Sequence, residues 1–226
     1  VSKKLGVQGI PSAAEDNGVA REIDAAASMN VPVHICHVST KGSVELIRDA
    51  KRRGVQVTAE TCPHYLMLTD EALESMDADY RMNPPLGSWE DREALIEALC
   101  DGTLDAISTD HAPHASEEKA DFTKAPNGSI GMETSFAAAW TALKDRLELI
   151  TVISLMSTAP AKILKIPAGT LKPGAKADIV LIDPDETWVV DPNKLHGRSR
   201  NTPFKGMELT GRVRATYLNG KKVFEL

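Results

Sequence analysis

The run Leu104-Asp105-Ala106-Ile107-Ser108-Thr109-Asp110-His111-Ala112-Pro113-His114 concentrates chemistry in a short span. An apolar strand ends in a carboxylate, two imidazoles follow, and Pro113 breaks any regular structure between them. A second apolar stretch, Val31-Pro32-Val33-His34-Ile35-Cys36-His37-Val38, ends in His37. If the two strands are parallel neighbours, His37 and Asp110 point into one pocket. Imidazole plus carboxylate is a ligand set for Zn²⁺ or a similar divalent ion. Taken singly, each residue is read equally well as a packed histidine or a capping aspartate. The pair, each member followed by a loop, points to metal and proton-transfer chemistry.

Other residues read less sharply. His34 lies three positions before His37, so on a continuous strand it faces the other side and packs structurally. By the same alternation Cys36 is a buried apolar thiol and not a ligand. His64, after Pro63, is either a pocket residue or a histidine bonded to its loop. His111 should point away from Asp110, whereas His114, past Pro113, can turn back over the pocket and meet an anionic group. In Arg81-Met82-Asn83-Pro84-Pro85-Leu86 two prolines fix the loop, and the Asn83 amide can both donate to and accept from a planar ligand. Pro126-Asn127-Gly128-Ser129-Ile130-Gly131 offers backbone N–H groups to a carboxylate or carbonyl oxygen. It is not a phosphate-binding G-x-x-x-x-G-K-[ST] loop.

The elements that must hold these residues alternate. Helices are predicted over residues 16–30, 43–53, 91–100, 136–144 and 147–157, with strands over 31–38, 55–61 and 104–109. Asn30, Gly54 and Asp101-Gly102 punctuate them, and Ser39-Thr40 can cap the second helix. This is a parallel α/β pattern. In a parallel barrel, strand C-termini carry the chemistry, but three strands do not close one. After Pro160 the character changes. Short β segments at 178–182, 187–190 and 213–218 precede an Asn219-Gly220 turn, which pairs 215–218 with 221–224. The expected division is 1–166 for the α/β part and 167–226 for a small β module.

Composition bounds the rest. The 226 residues carry 26 Lys+Arg against 32 Asp+Glu, a net charge of −6. No basic face suggests nucleic acid, and no apolar stretch reaches membrane length. The start does not read as a signal peptide. Three scattered cysteines without C-x-x-C spacing argue against a disulfide framework and fit a cytoplasmic setting.

Taken in order, Gly9-Ile10-Pro11-Ser12-Ala13-Ala14-Glu15, His34-Ile35-Cys36-His37-Val38-Ser39-Thr40, Met82-Asn83-Pro84-Pro85-Leu86, Ser108-Thr109-Asp110-His111-Ala112-Pro113-His114 and Ser199-Arg200-Asn201-Thr202-Pro203-Phe204 resemble a dihydroorotase of the amidohydrolase superfamily. The resemblance covers essentially the whole chain. It implies the C-terminal part, about three strands, of a (β/α)₈ TIM-like metal-dependent hydrolase barrel plus the β module. The implied reaction is reversible hydrolysis of the cyclic amide of dihydroorotate to N-carbamoyl-L-aspartate, in pyrimidine biosynthesis. Carried over residue by residue, His37 and Asp110 match metal ligands, and Asp110 also matches the proton-transfer group. Asn83, His114, Asn127 and Gly128 match substrate-binding positions, although the family usually has an aromatic residue where Asn127 stands. One or two zinc ions are implied for the complete site.

The family's H-x-H pair, its bridging acidic or modified-lysine ligand, its fifth-strand histidine and its substrate arginine have no match here. On this reading the segment alone binds metal weakly, is inactive, and needs its missing half or self-association. Alternatives are an allantoinase- or hydantoinase-like cyclic amidohydrolase, or a non-catalytic scaffold for aspartate transcarbamoylase.

Overall fold

Residues 1–226 are described by a computed structural model. Its N-terminal part is a parallel sheet of β1 (Val33–Ile35), β2 (Val57–Thr61) and β3 (Ala106–Ile107), in that spatial order. Val33 pairs with Val57 and Thr61 with Ile107. Around it run α1 (Ser2–Leu5), α2 (Ser12–Met29), α3 (Lys41–Arg52), α4 (Pro63–Met67) and α5 (Trp89–Cys100).

Local chemistry sets these boundaries. The Thr40 hydroxyl accepts from Ser43 N to start α3, and Val44, Ile47 and Ala50 turn its apolar stripe fully inward. A reciprocal Ser88–Asp91 capping box starts α5, satisfying two otherwise orphaned N–H groups. Two strands are shorter than the pattern predicts. β1 stops at Ile35 because His37 adopts φ +59°, and the segment after β3 turns at Asp110, φ +46°. Left-handed backbone cannot continue a ladder, and it is uncommon for non-glycine residues.

The remaining helices are α6 (Ser135–Leu143), α7 (Leu149–Ile153) and α8 (Ala159–Ile163), the last two joined by a π turn at Ser154–Thr158. An antiparallel sheet follows: β4 (Ile179–Val189), β5 (Glu208–Leu218) and β6 (Lys221–Glu225). The two short segments expected at 178–182 and 187–190 are one strand, interrupted by register shifts. Asn219 and Gly220, at φ +51° and +77°, make the β5–β6 hairpin turn.

β5 lies against α6. A Cβ on Gly211 (φ +92°) would sit 2.8 Å from Phe136 Cε1 and 3.0 Å from Trp140 Cδ1. Trp140 Nε1 also donates to Pro184 O at 2.9 Å. Val190, Phe204 and Leu209 share one apolar cluster with Val44 and Ile47 of the parallel layer. No helix is long and apolar enough to cross a membrane.

Candidate metal centre and substrate loops

β1, β2 and β3 bring three side chains to one end of the parallel sheet. His37 Nε2 lies 3.5 Å from Asp110 Oδ1, and His37 Nδ1 lies 3.3 Å from Glu60 Oε1. Glu60 is the penultimate residue of β2. It also accepts from the Ser108 hydroxyl at 2.7 Å, and its other oxygen is 3.4 Å from His34 Nε2. Burial works against the Glu60 carboxylate, but the contacts from His34, His37 and Ser108 outweigh it and hold the pKa at about 2. The bond to Glu60 raises the His37 pKa against the opposing effect of burial, and Asp110 adds to the rise.

The His37–Asp110 spacing suits a shared ion. Nitrogen and oxygen ligands at zinc bond lengths, set at a tetrahedral angle, lie about 3.4 Å apart. Glu60 meets His37 Nδ1, opposite the nitrogen that faces Asp110, which is where an outer partner of a ligating imidazole would stand. The donor set therefore fits a borderline divalent cation.

Two expectations for this end of the sheet are overturned. His34 does not face away from His37, since both imidazoles reach Glu60. Alternation fails because the strand ends at Ile35 and the chain turns left-handed at His37. His34 Nδ1 also meets Thr58 Oγ1 at 2.8 Å across the β1–β2 ladder. Cys36 is exposed, not buried, and its Sγ lies within 4.8 Å of ligand atoms of His34 and Glu60. The buried thiol is Cys62, whose Sγ is 3.6 Å from His37 Nδ1; burial drives its pKa up.

His64 is enclosed in α4 with Nε2 unpartnered. Burial, with His37 nearby, lowers its pKa to about 3, so it is neutral. His111 turns aside, as expected, and accepts from Gly131 N at 3.1 Å.

The candidate substrate residues fall into two groups. His114 Nε2 meets Asn127 O at 3.0 Å, which places the imidazole on the Asn127-Gly128 loop. Gly128 N donates to Arg81 O at 2.7 Å, tying that loop to the segment leading to Asn83. Gly128 takes φ +113°, and a Cβ there would lie 2.5 Å from Ala112 Cβ, so only glycine fits. Asn83 itself lines a separate cleft of about 240 Å³ with Glu15, Ser39, Thr40, Pro84 and Pro85. His37, Asp110 and His114 do not line that cleft.

Glu15 ties α2 to the segment after His37. Its carboxylate accepts from Ser39 N at 2.9 Å, from Thr40 N at 3.2 Å and from both hydroxyls. In the sequence Glu15 stood only at the end of a family-like motif, without a role, and Glu60 did not stand out at all. Glu60 sits on a strand in line with Thr58, and its partners become visible only once β1 and β3 flank it.

The profile described as Amidohydrolase family matches residues 2–223. The chain belongs to the amidohydrolase family. Proteins named dihydroorotase are similar to this amidohydrolase chain throughout. That of Geobacter metallireducens (strain ATCC 53774 / DSM 7210 / GS-15) is 50% identical over 227 residues, covering 100% of this chain and 54% of its own length. That of Acetivibrio thermocellus (strain ATCC 27405) is 49% identical over 225 residues, covering 98% and 53%.

Among solved structures, dihydropyrimidinase from Brevibacillus agri NCHU1002 superposes with a TM-score of 0.89 at 32% identity, covering 95% of this chain and 49% of that one. L-hydantoinase (dihydropyrimidinase) from Arthrobacter aurescens gives 0.90 at 32%, with the same coverage. The chain spans about half the length of the curated relatives it matches. Its three parallel strands with flanking helices are part of that barrel architecture.

Proposed function

We propose that this chain supplies the Asp110 half of a dihydroorotase site, in a protein that reversibly hydrolyses the cyclic amide of dihydroorotate to N-carbamoyl-L-aspartate. The observation that carries the reading is the 3.5 Å approach of His37 Nε2 to Asp110 Oδ1, in a chain half-identical along its length to proteins named dihydroorotase. His37 and Asp110 would hold a zinc ion, with Glu60 orienting the imidazole. When bound, the ion supplies Lewis acidity and an activated water near neutral pH.

Asp110 takes the proton of the attacking water and returns it to the departing amide nitrogen, as base and then acid. Its position in a left-handed turn at the sheet's end points the carboxylate at His37. His114 and the Asn127-Gly128 loop hold the substrate carboxylate and ring for attack, while Asn83 lines the separate cleft and joins that hold only if the substrate reaches across to it. Two imidazoles around Glu60 and a depressed carboxylate pKa make the cluster a place where protonation is tuned, as functional sites require.

A second reading, a hydantoinase-type hydrolase, is supported by the solved structures it superposes on and by Asn127 standing where an aromatic is usual. Three free cysteines support a cytoplasmic setting. Two tests apply to the protein that contains this chain. Turnover of dihydroorotate, dihydrouracil, hydantoin and allantoin is compared first, with dihydroorotate expected to have the highest kcat/KM. A preference for hydantoin or dihydrouracil overturns the assignment in favour of the second reading. Sizing with and without aspartate transcarbamoylase then tests association.

A further inference from the structure

Asn201 lies in the C-terminal segment, 87 residues from His114 in sequence, yet it is only 4% exposed. Its side-chain amide bridges two loops. Oδ1 accepts from His114 N at 3.1 Å. Nδ2 donates to Ala112 O at 3.0 Å and to Gly128 O at 3.2 Å. Its own carbonyl accepts from Ile130 N at 2.9 Å. Both amide donors and one side of the acceptor are therefore engaged, which sets which way the amide points.

We infer that Asn201 is a positioning residue that locks the His114 loop and the Asn127-Gly128 loop into one wall of the substrate site. The inference rests on the reading of those loops as substrate-binding. Residues 111–131 hold no helix or strand of their own, apart from an isolated His111–Ser129 bridge. Their geometry must come from side chains of other segments and from each other. Lys119 contributes from within the segment, where its Nζ donates to Pro126 O at 2.9 Å and to Gly128 O at 3.0 Å. His114 Nε2 occupies Asn127 O. With all three loop carbonyls held by donors, the loop's remaining groups keep a fixed orientation. Asn201 is the one group in this set that reaches both loops from outside the 111–131 segment.

The test is Asn201→Asp, in which a carboxylate of the same shape faces two carbonyls and cannot donate to them. Ala112 O loses its donor, Gly128 O keeps only Lys119, and the new carboxylate faces both carbonyls, which together cost enough to raise local opening about tenfold. Hydrogen exchange followed by mass spectrometry should show that acceleration in peptides spanning 111–131, with α2, α3 and β2 unchanged. This readout needs no substrate, so it stands even if the protein turns out to prefer hydantoins. On the metal-loaded protein that contains this chain, KM for its best cyclic-amide substrate should rise about tenfold or more, with kcat within about threefold. Asn201→Ser, which keeps one donor and adds no charge, should recover part of both effects. Unchanged exchange in 111–131 overturns the inference, as does faster exchange with unchanged KM. Global unfolding of both variants before the loops loosen assigns Asn201 to the core instead and also overturns it.

Discussion

Replacing Glu60 by glutamine removes a charge and keeps the shape, which isolates what the carboxylate does for His37. The side chain is 15% exposed and that of His37 is 31% exposed. Three donors converge on the carboxylate: Ser108 at 2.7 Å, His37 at 3.3 Å and His34 at 3.4 Å. A hydrogen bond to a charged group contributes about 1.5–3 kcal/mol. The His37 contact is slightly long for an N–H···O bond and partly solvated, so the lower end applies, about 1.5 kcal/mol, roughly tenfold. Loss of an outer partner of a metal-bound histidine costs 10- to 100-fold in affinity or activity, and the geometry places Glu60→Gln near the bottom of that range.

The assay is zinc competition against a chromogenic chelator, run beside steady-state turnover on the same preparations of the protein that contains this chain. Zinc affinity should fall about tenfold, with kcat/KM following it. Glu60 is held at about 2 and stays ionised across any practical assay range, but it raises the His37 pKa, so the comparison belongs at a pH above the His37 titration, where no proton competes with zinc for the imidazole. Zinc affinity within about twofold of the parent, far short of the hydrogen-bond cost, would refute the reasoning that Glu60 orients His37 for an ion.

Other outcomes follow from single features. Asp110→Asn should lower kcat by about 10²–10⁴-fold with little change in melting temperature; retained turnover would remove Asp110 from proton transfer. Gly211→Ala adds a Cβ 2.8 Å from Phe136 at φ +92°, combining backbone strain with overpacking at about 1–3 kcal/mol each. Melting temperature should fall by at least about 4 °C at this chain length, and a change below about 1 °C would mean α6 yields freely. Glu133 is opposed by burial, yet the His196 N–H, the His196 ring and the Gly197 N–H lower its pKa below the ordinary glutamate value. A depressed carboxylate stabilises the fold fully above its unfolded pKa, and the effect is lost as pH falls through the folded value. The stability gap between parent and Glu133→Gln, measured by denaturant melts, should therefore be widest near neutral pH and close on acidification. A gap independent of pH would contradict the assignment.

Much of this was legible from residue order. Apolar runs ending in His37 and Asp110 marked strand tips, Thr40 marked a helix start, and Asn219-Gly220 marked a hairpin. These signals are local, since capping, turn and strand chemistry act over a few residues. The same rule misplaced His34 and Cys36, because strict alternation holds only while a strand lasts, and β1 ends at Ile35.

Sequence alone, then, determined the α/β order, the family resemblance and the nomination of His37 and Asp110. Tertiary structure decided that Glu60 sits between two imidazoles, that His34 joins them, and that Asn201 fastens His114 to Gly128. Those pairings span between 23 and 87 residues of sequence in this chain. No periodicity encodes contacts at such separations. They arise when strand pairing, loop closure and packing bring distant groups together, and when burial obliges each polar atom to find a partner.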